Sequence, residues 1–427
     1  LNVSDDFYTS GTTTINASSM QTAATKAFSV ISGASATLNV DSLVVGAAMT
    51  GSAGGTLTIQ PRTSTTTIGL GSSASGTLNL DDTELAYING KFGALVIGSS
   101  SGTGAVAVNY GSTFTYTQPL TLRTASAGSI AAVDTLNTGS NALTISSGTI
   151  SLVDVVSGEL AVTGASGITL NGNVTTAGSQ TYTGATTLGT SVMLDTTTGL
   201  SAGRGILFAG TGTIAGTTAN AQALTINAGT VGTIQVNGAI GSTTTLSSLT
   251  VTHSGGARFI GAVSVDTSIV LTNTVSGAVV SFEGGLSTPV LTTTSNPYGI
   301  SLTGSNNSIT TSIEFLNTGS LALGNSSTDA FSFGGNLTVT APSSLLIAGV
   351  FTAGGSITLG DAGTGISLSS GTSISTAAVN ADININGAVT GASNTFTVRA
   401  GTGTINFGGA VSGLGATTLI ANEINVS

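Results

Sequence analysis

Between Leu38 and Tyr116 the chain repeatedly places two apolar residues around one intervening residue: Leu38/Val40, Leu57/Ile59, Leu78/Leu80, Leu95/Ile97 and Phe114/Tyr116. That spacing puts both apolar side chains on one face of a β-strand. The first members follow one another at 19, 21, 17 and 19 residues, a mean of 19, so the pattern predicts one short strand per coil of a repeating structure. Similar pairs open at Leu302, Leu321, Leu337 and Ile357, at separations of 19, 16 and 20. Over a longer range, the run from Leu224 to Ile240 returns as the run from Phe396 to Val411, at an offset of 172 falling to 171 that nine coils of 19 would account for. Coils of this size with self-similarity predict a solenoid, in which each unit is stable only against its neighbours.

Residues 1–36 are less regular and read as an irregular N-terminal segment or an incomplete coil, with Thr12 to Ile15 as a first strand. Residues 37–427 read as one continuous β-solenoid without an internal boundary. Ala23, Ala24, Lys26 and Ala27 have fair helix propensity, but no apolar stripe of helical period continues from them, and no substantial helix is predicted. The prolines at 61, 119, 289, 297 and 342 avoid the best strand pairs and mark corners. The charged run from Asp81 to Gly90 is expected to protrude as a wide turn between coils. The fold class that follows is all-β, a parallel β-helix with coils of roughly 20 residues. About 21 or 22 such coils, stacked at about 4.8 Å, would make a rod of roughly 100 Å. Right-handed crossovers are expected, as for parallel strands generally.

Composition narrows the class. Only 6% of the 427 residues are charged and 4% aromatic, with 62 Gly, against about 25% charged in an ordinary globular domain. The regular alternation of Val, Ile, Leu and Thr separates the chain from a disordered one. With 0 Cys there is no disulfide framework or thiolate metal site, which suits an exported protein. No apolar run is long enough for a membrane helix. Leu1 opens no signal peptide, so the sequence reads as a processed or excised piece. A net charge of -10, with bases scattered singly, offers none of the clustered positive charge that nucleic acid requires.

The runs Gly55-Thr-Leu-Thr-Ile-Gln-Pro-Arg62, Thr67-Ile-Gly-Leu-Gly71, Leu78-Asn-Leu-Asp-Asp-Thr-Glu-Leu85, Leu95-Val-Ile-Gly98 and Pro119-Leu-Thr-Leu-Arg123 resemble the repeat region of large bacterial surface proteins of the filamentous haemagglutinin type. So do Ile168-Thr-Leu-Asn-Gly-Asn-Val-Thr-Thr176, Gln180-Thr-Tyr-Thr-Gly184, Gly205-Ile-Leu-Phe208, Ala223-Leu-Thr-Ile-Asn-Ala-Gly229 and Leu249-Thr-Val-Thr252. Together these patterns cover about two thirds of the chain. They are specific to the architecture and not to one activity. The resemblance implies a right-handed β-helix, two-partner or autotransporter-like export, and adhesion or surface structure. The family's N-terminal secretion domain has no counterpart here, since Asn296-Pro297-Tyr298-Gly299-Ile300 lies mid-chain.

Candidate chemistry is sparse, and no catalytic, cofactor-binding or metal-binding residue is assigned. His253, the only histidine, would have to serve as base in any Ser-His-Asp arrangement, and no Gly-x-Ser-x-Gly elbow accompanies it. Asp81, Asp82 and Glu84 could offer oxygens to calcium but supply little of its shell, and they read as a solvated acidic turn. A polysaccharide-active enzyme would need paired carboxylates on neighbouring coils and aromatics for stacking. Asp154 with Glu159, or Asp361 with Asp382, are the candidate pairs, and there is no Trp. The Asn-x-Ser/Thr sequons at Asn2, Asn16, Asn173, Asn306, Asn325, Asn336 and Asn425 follow from composition. The expectation is therefore a non-enzymatic structural or adhesive rod, extracellular or on the bacterial outer cell surface, without cofactor. Its expected partners are a surface or host glycan or protein receptor and other copies joined end to end into filaments. The alternatives are a passive stalk displaying a separate binding domain, and the enzyme.

Overall fold

A computed structural model describes residues 1–198 and 201–427. The chain is all-β, 50% strand and 2% helical, with parallel coils forming a β-solenoid of about 19 turns and ~22 residues per turn. The turns are thus fewer and longer than the pattern of apolar pairs predicts. Two compact units, Leu1–Gly199 and Leu200–Ser427, divide it.

Each coil of the second unit has three sides, and most sides carry an apolar pair. On the first side Ile206, Ile234, Ala257, Val280 and Ile300 succeed one another rung by rung. The second side runs Ile240, Val263, Leu286, Asn307, Phe331, Phe351, Ile374, Val398. On the third, Leu224, Leu249 and Ile269 succeed one another, and farther along Leu337, Ile357, Ile383 and Ile405 do so. Nothing in the sequence labels the side to which a pair belongs, and this explains the short apparent period. Leu321 belongs to the first side, under Leu345, whereas Leu337 belongs to the third. The echo of Leu224 in Phe396 joins a third-side strand to a second-side strand, since Phe396 pairs with Thr372. Its offset is a fractional number of coils, not nine.

The first unit has the same three sides. Ile15, Leu38, Ile59, Ile97, Leu122, Ile145, Val162 and Tyr182 form one ladder. The partner of Leu57 along the stack is therefore Leu95, and Leu78 is not the rung between them. The strand Leu78–Leu80 lies instead against Ile68–Leu70, ten residues earlier. Residues 1–36 are part of this stack: Thr13–Thr22 pairs in register with Ala36–Val44, and Phe7–Thr9 with Phe28–Val30.

The run from Asp81 to Gly90 does not protrude as a turn. It contains an α-helix, Asp82–Ile88, with Leu85 and Ile88 buried. Asp81 and Glu84 form a reciprocal capping box, which satisfies N–H groups that the first turn leaves without partners. The Met49 amide donates to the Tyr87 carbonyl at 3.0 Å. Beyond the helix, Asn89 accepts from the Thr117 amide at 2.9 Å and donates to the Thr115 carbonyl at 2.8 Å. The helix thus stands where a strand would form the third side of that coil.

Every inward position must match its neighbours one coil away, because the rungs are in register. Aromatic residues at matching rungs stack directly: Phe259 on Phe282 at 4.9 Å and Phe331 on Phe351 at 4.6 Å between ring centres, both pairs nearly parallel. Those distances are the rise of the coil itself. At corners, strands such as Ser344–Ala353 run on through the bend with a shift of register between Ile347 and Gly349. Gly349 has φ +103°, and a Cβ there would sit 2.3 Å from the Asp329 carbonyl oxygen.

The register yields a direct test. Leu122 is 0% exposed, so Leu122→Asp buries an unpaired carboxylate between Ile97 and Ile145 and should cost ~4 kcal/mol or more. Thr121→Asp, on the outer face of the same strand, should cost under about 1 kcal/mol. Denaturant unfolding of the two variants compares them, and equal losses would contradict the ladder assignment.

Candidate functional site

The second side of the second unit carries a groove of about 550 Å³. Its geometry follows from strand alternation. In Val263-Ser264-Val265 both valines are buried, so Ser264 points outward. In-register pairing then lines Ser264 up with Ser287, Ser308, Ser332 and Thr352 on successive coils. Beside this hydroxyl column the positions are small or apolar at Ala262, Gly285, Ala330 and Val350, with the Asn306 amide between Gly285 and Ala330. Gly285, with φ +97°, lies so close to the next coil that a Cβ would meet the Asn306 carbonyl oxygen at 2.6 Å. The result is a trough that crosses five coils with hydroxyls along one edge.

No ionisable side chain lines it. Several charges border it, and exposed Asp266, two residues from Ser264, accepts from the Thr245 hydroxyl. Arg258 grips Glu283 with two hydrogen bonds, Nε to Oε1 at 2.6 Å and Nη2 to Oε2 at 2.9 Å, and this pairing holds the Glu283 carboxyl below its ordinary range. Asp329 is buried and accepts from the amides of Asn325 and Ser326 at 2.9 and 3.0 Å. The Thr352 hydroxyl donates to the Phe331 carbonyl at 3.2 Å. The hydroxyls of Ser264, Ser287, Ser308 and Ser332 have no protein partner among the described residues.

The acids singled out by sequence do another task, holding one coil to the next. Asp154 accepts from the Asn173 amide at 2.7 Å, and Asp382 from the Thr404 amide at 2.8 Å. Each supplies an acceptor to a corner amide that the ladder leaves without one. Asn173, Asn336 and Asn380 cap the amides of Met193, Ser356 and Thr402 in the same way. Glu159 accepts from the Ser179 hydroxyl at 2.9 Å. Asp361 closes its own turn, accepting from the amides of Gly363 and Thr364 at 2.8 and 2.9 Å and from the Thr364 hydroxyl at 3.0 Å.

Asp81, Asp82 and Glu84 are engaged likewise. Asp82 accepts from the Ser72 and Gly111 amides. Beyond the capping box, Glu84 accepts from the Val45 amide at 2.9 Å. Burial raises the Glu84 carboxyl above its ordinary range, against the opposing pull of the Val45 and Asp81 amides. His253 sits half-buried on the third side between Asn227 and Asn273, with no carboxylate at either rung. The neighbouring Ser254 hydroxyl is buried against that of Thr274 at 2.9 Å. Among the sequons, Asn306 lies on the groove. Among the described residues no group of three His, Cys, Asp or Glu side chains could hold a metal ion, and no helix is long and apolar enough to cross a membrane.

The groove is a site that the reading of acids and histidine does not reach. Its sequence signal is a serine or threonine framed in a short strand and returning after 23, 21, 24 and 20 residues from Ser264. In a chain this rich in Ser and Thr that signal is inconspicuous. No family model, curated protein or solved structure matches the chain.

Three outcomes check the roles of the acids. Asp81→Ala should cost about 1 kcal/mol by loss of the helix cap, and millimolar calcium should leave the unfolding midpoint of the native chain unchanged. A calcium-dependent rise would return these acids to a metal role. For Asp361, the Gly363 amide and the Thr364 hydroxyl hold the carboxyl below its ordinary range. Its contribution is thus present above the unfolded carboxylate value of about 4 and is lost as pH falls through the lowered folded value. The melting-temperature gap between native protein and Asp361→Ala should therefore shrink on acidification from about pH 6 to about pH 2; a gap constant with pH would contradict the assignment.

Proposed function

We propose that this protein is a structural and adhesive β-helical component of a bacterial outer cell surface, similar in role to the filamentous haemagglutinin-type proteins that its repeats resemble, and that it performs no catalysis. The observation that carries the reading is how the polar side chains are used. Asp154, Asp361, Asp382, Asn173 and Asn336 all accept from backbone amides, joining coils or closing corners. A chain that commits its acids and amides to its own backbone is organised for mechanical persistence. Its outer faces are left to hydroxyls and amides. The scarcity of charge and the lack of cysteine suit export of such a chain.

Self-association belongs to the same reading. One coil adds to the next through in-register parallel strands, as Ile405 does with Ile424, and the side-chain column from Asn384 through Asn406 to Asn425 is linked at 2.8 and 3.0 Å; the same pairing would join one copy to another.

Immunogold labelling of intact producing cells is expected to place the protein at the surface, and labelling confined to the cytoplasm would overturn the proposal. In sedimentation of the purified 1–427 chain, association should grow with concentration and be weakened by Ile424→Lys. A chain that stays monomeric at every concentration would remove the end-to-end element. Turnover of any acidic or neutral polysaccharide would overturn the non-enzymatic element.

A further inference from the structure

We infer that the groove over residues 262–352 is a binding site for a linear, uncharged polysaccharide lying along the stack of coils. This deepens the adhesive reading above and rests on it. Three properties of the site select the ligand. The first is repetition: Ser264, Ser287, Ser308 and Ser332 occupy successive rungs, so the same donor-acceptor group returns at intervals of about 4.8 Å. A polymer whose units repeat at a similar interval can meet each rung in the same way, which a compact ligand cannot. The second is neutrality. The lining has no charge, and the bordering Arg258 and Glu283 neutralise one another. A polyanion would surrender its hydration for no opposite charge, whereas hydroxyl groups exchange water for serine at little cost.

The third is the division of the trough into two edges. Ala262, Gly285, Ala330 and Val350 form a mostly apolar strip parallel to the hydroxyls, interrupted at one rung by the Asn306 amide. A pyranose ring has the same division, with C–H faces and hydroxyl edges, so a flat, equatorially linked chain can lay its C–H groups on the strip and its hydroxyls against the serines. Mostly apolar lining with a few convergent polar groups is the usual composition of a small-molecule site. The five coils span roughly 20 Å, enough for several sugar units.

The test is calorimetric titration of the full chain with linear β-1,4-linked gluco- and manno-oligosaccharides from the dimer upward, and with oligogalacturonates of equal length. Binding of the neutral series should strengthen about tenfold or more from the dimer to the length that spans the groove and then level off. The oligogalacturonates should bind at least about tenfold more weakly. Ser308→Trp, which fills the trough from its outer face, should abolish binding. Ser308→Ala should weaken it several-fold, and Thr358→Trp on the third side should leave it unchanged. Circular dichroism melts verify that each variant is folded, and should Ser308→Trp fail to fold, Ser308→Ala decides alone. No binding of either neutral series at millimolar concentration, affinity independent of length, equal binding of the acidic series, or a folded Ser308 variant that binds like the native chain would each overturn the inference. Any of these with surface labelling intact removes the groove assignment alone, whereas a cytoplasmic location removes the adhesive reading and leaves the titration to stand or fall separately.

Discussion

Parallel backbone hydrogen bonding between successive coils is the constraint from which the rest of this structure follows. A strand on one side of a coil satisfies its N–H and C=O groups only through the strand one coil before and one coil after. Pairing is in register, so each side chain is stacked on the residue at the same rung. Inward positions become ladders of Leu, Ile, Val and Phe, and Phe331 on Phe351 shows how closely ring spacing follows coil spacing. Outward positions become columns, and a column of like residues presents the same group at every rung.

Corners are where that constraint is hardest to meet, and there the scarce acids and the asparagines are used. At a bend the backbone turns away from its neighbour, and an amide loses the carbonyl that a strand would have offered. Asp154, Asn173, Asn336 and Asp382 each replace that carbonyl with a side-chain oxygen reaching to the next coil. Glycine meets the companion steric demand: Gly349 and Gly285 approach the adjacent backbone where a Cβ would collide. The low charge content and the many glycines are two consequences of one architecture. The helix Asp82–Ile88 obeys the same accounting, since it satisfies its own backbone internally and passes hydrogen bonds to Met49 on one side and, through Asn89, to Thr115 and Thr117 on the other.

Most of the acids accept hydrogen bonds from backbone amides of the stack. What stays free is a set of outward hydroxyls whose spacing the fold dictates. A periodic, uncharged surface suits a periodic, uncharged ligand.

The alternation of apolar residues, the turn residues between them and the low charge were enough to determine a parallel β-solenoid, because period two and inter-coil repetition are local and additive signals. Inward positions such as Leu57, Leu95, Leu337 and Ile357 were legible for the same reason. The length of the coil and the identity of each residue's partner were decided only by the tertiary structure. Three sides with indistinguishable apolar pairs allow several threadings, and only hydrogen bonding between coils selects the one that sets Leu57 against Leu95 and Leu78 against Ile68. The helix at Asp82–Ile88 had a local signature in Asp81 and Glu84, but its place as one side of a coil depends on Met49 and Thr115, far away in sequence. The groove lay beyond reach for a related reason: Ser264, Ser287, Ser308 and Ser332 are ordinary surface serines singly, and they become a site only when register brings them into one column.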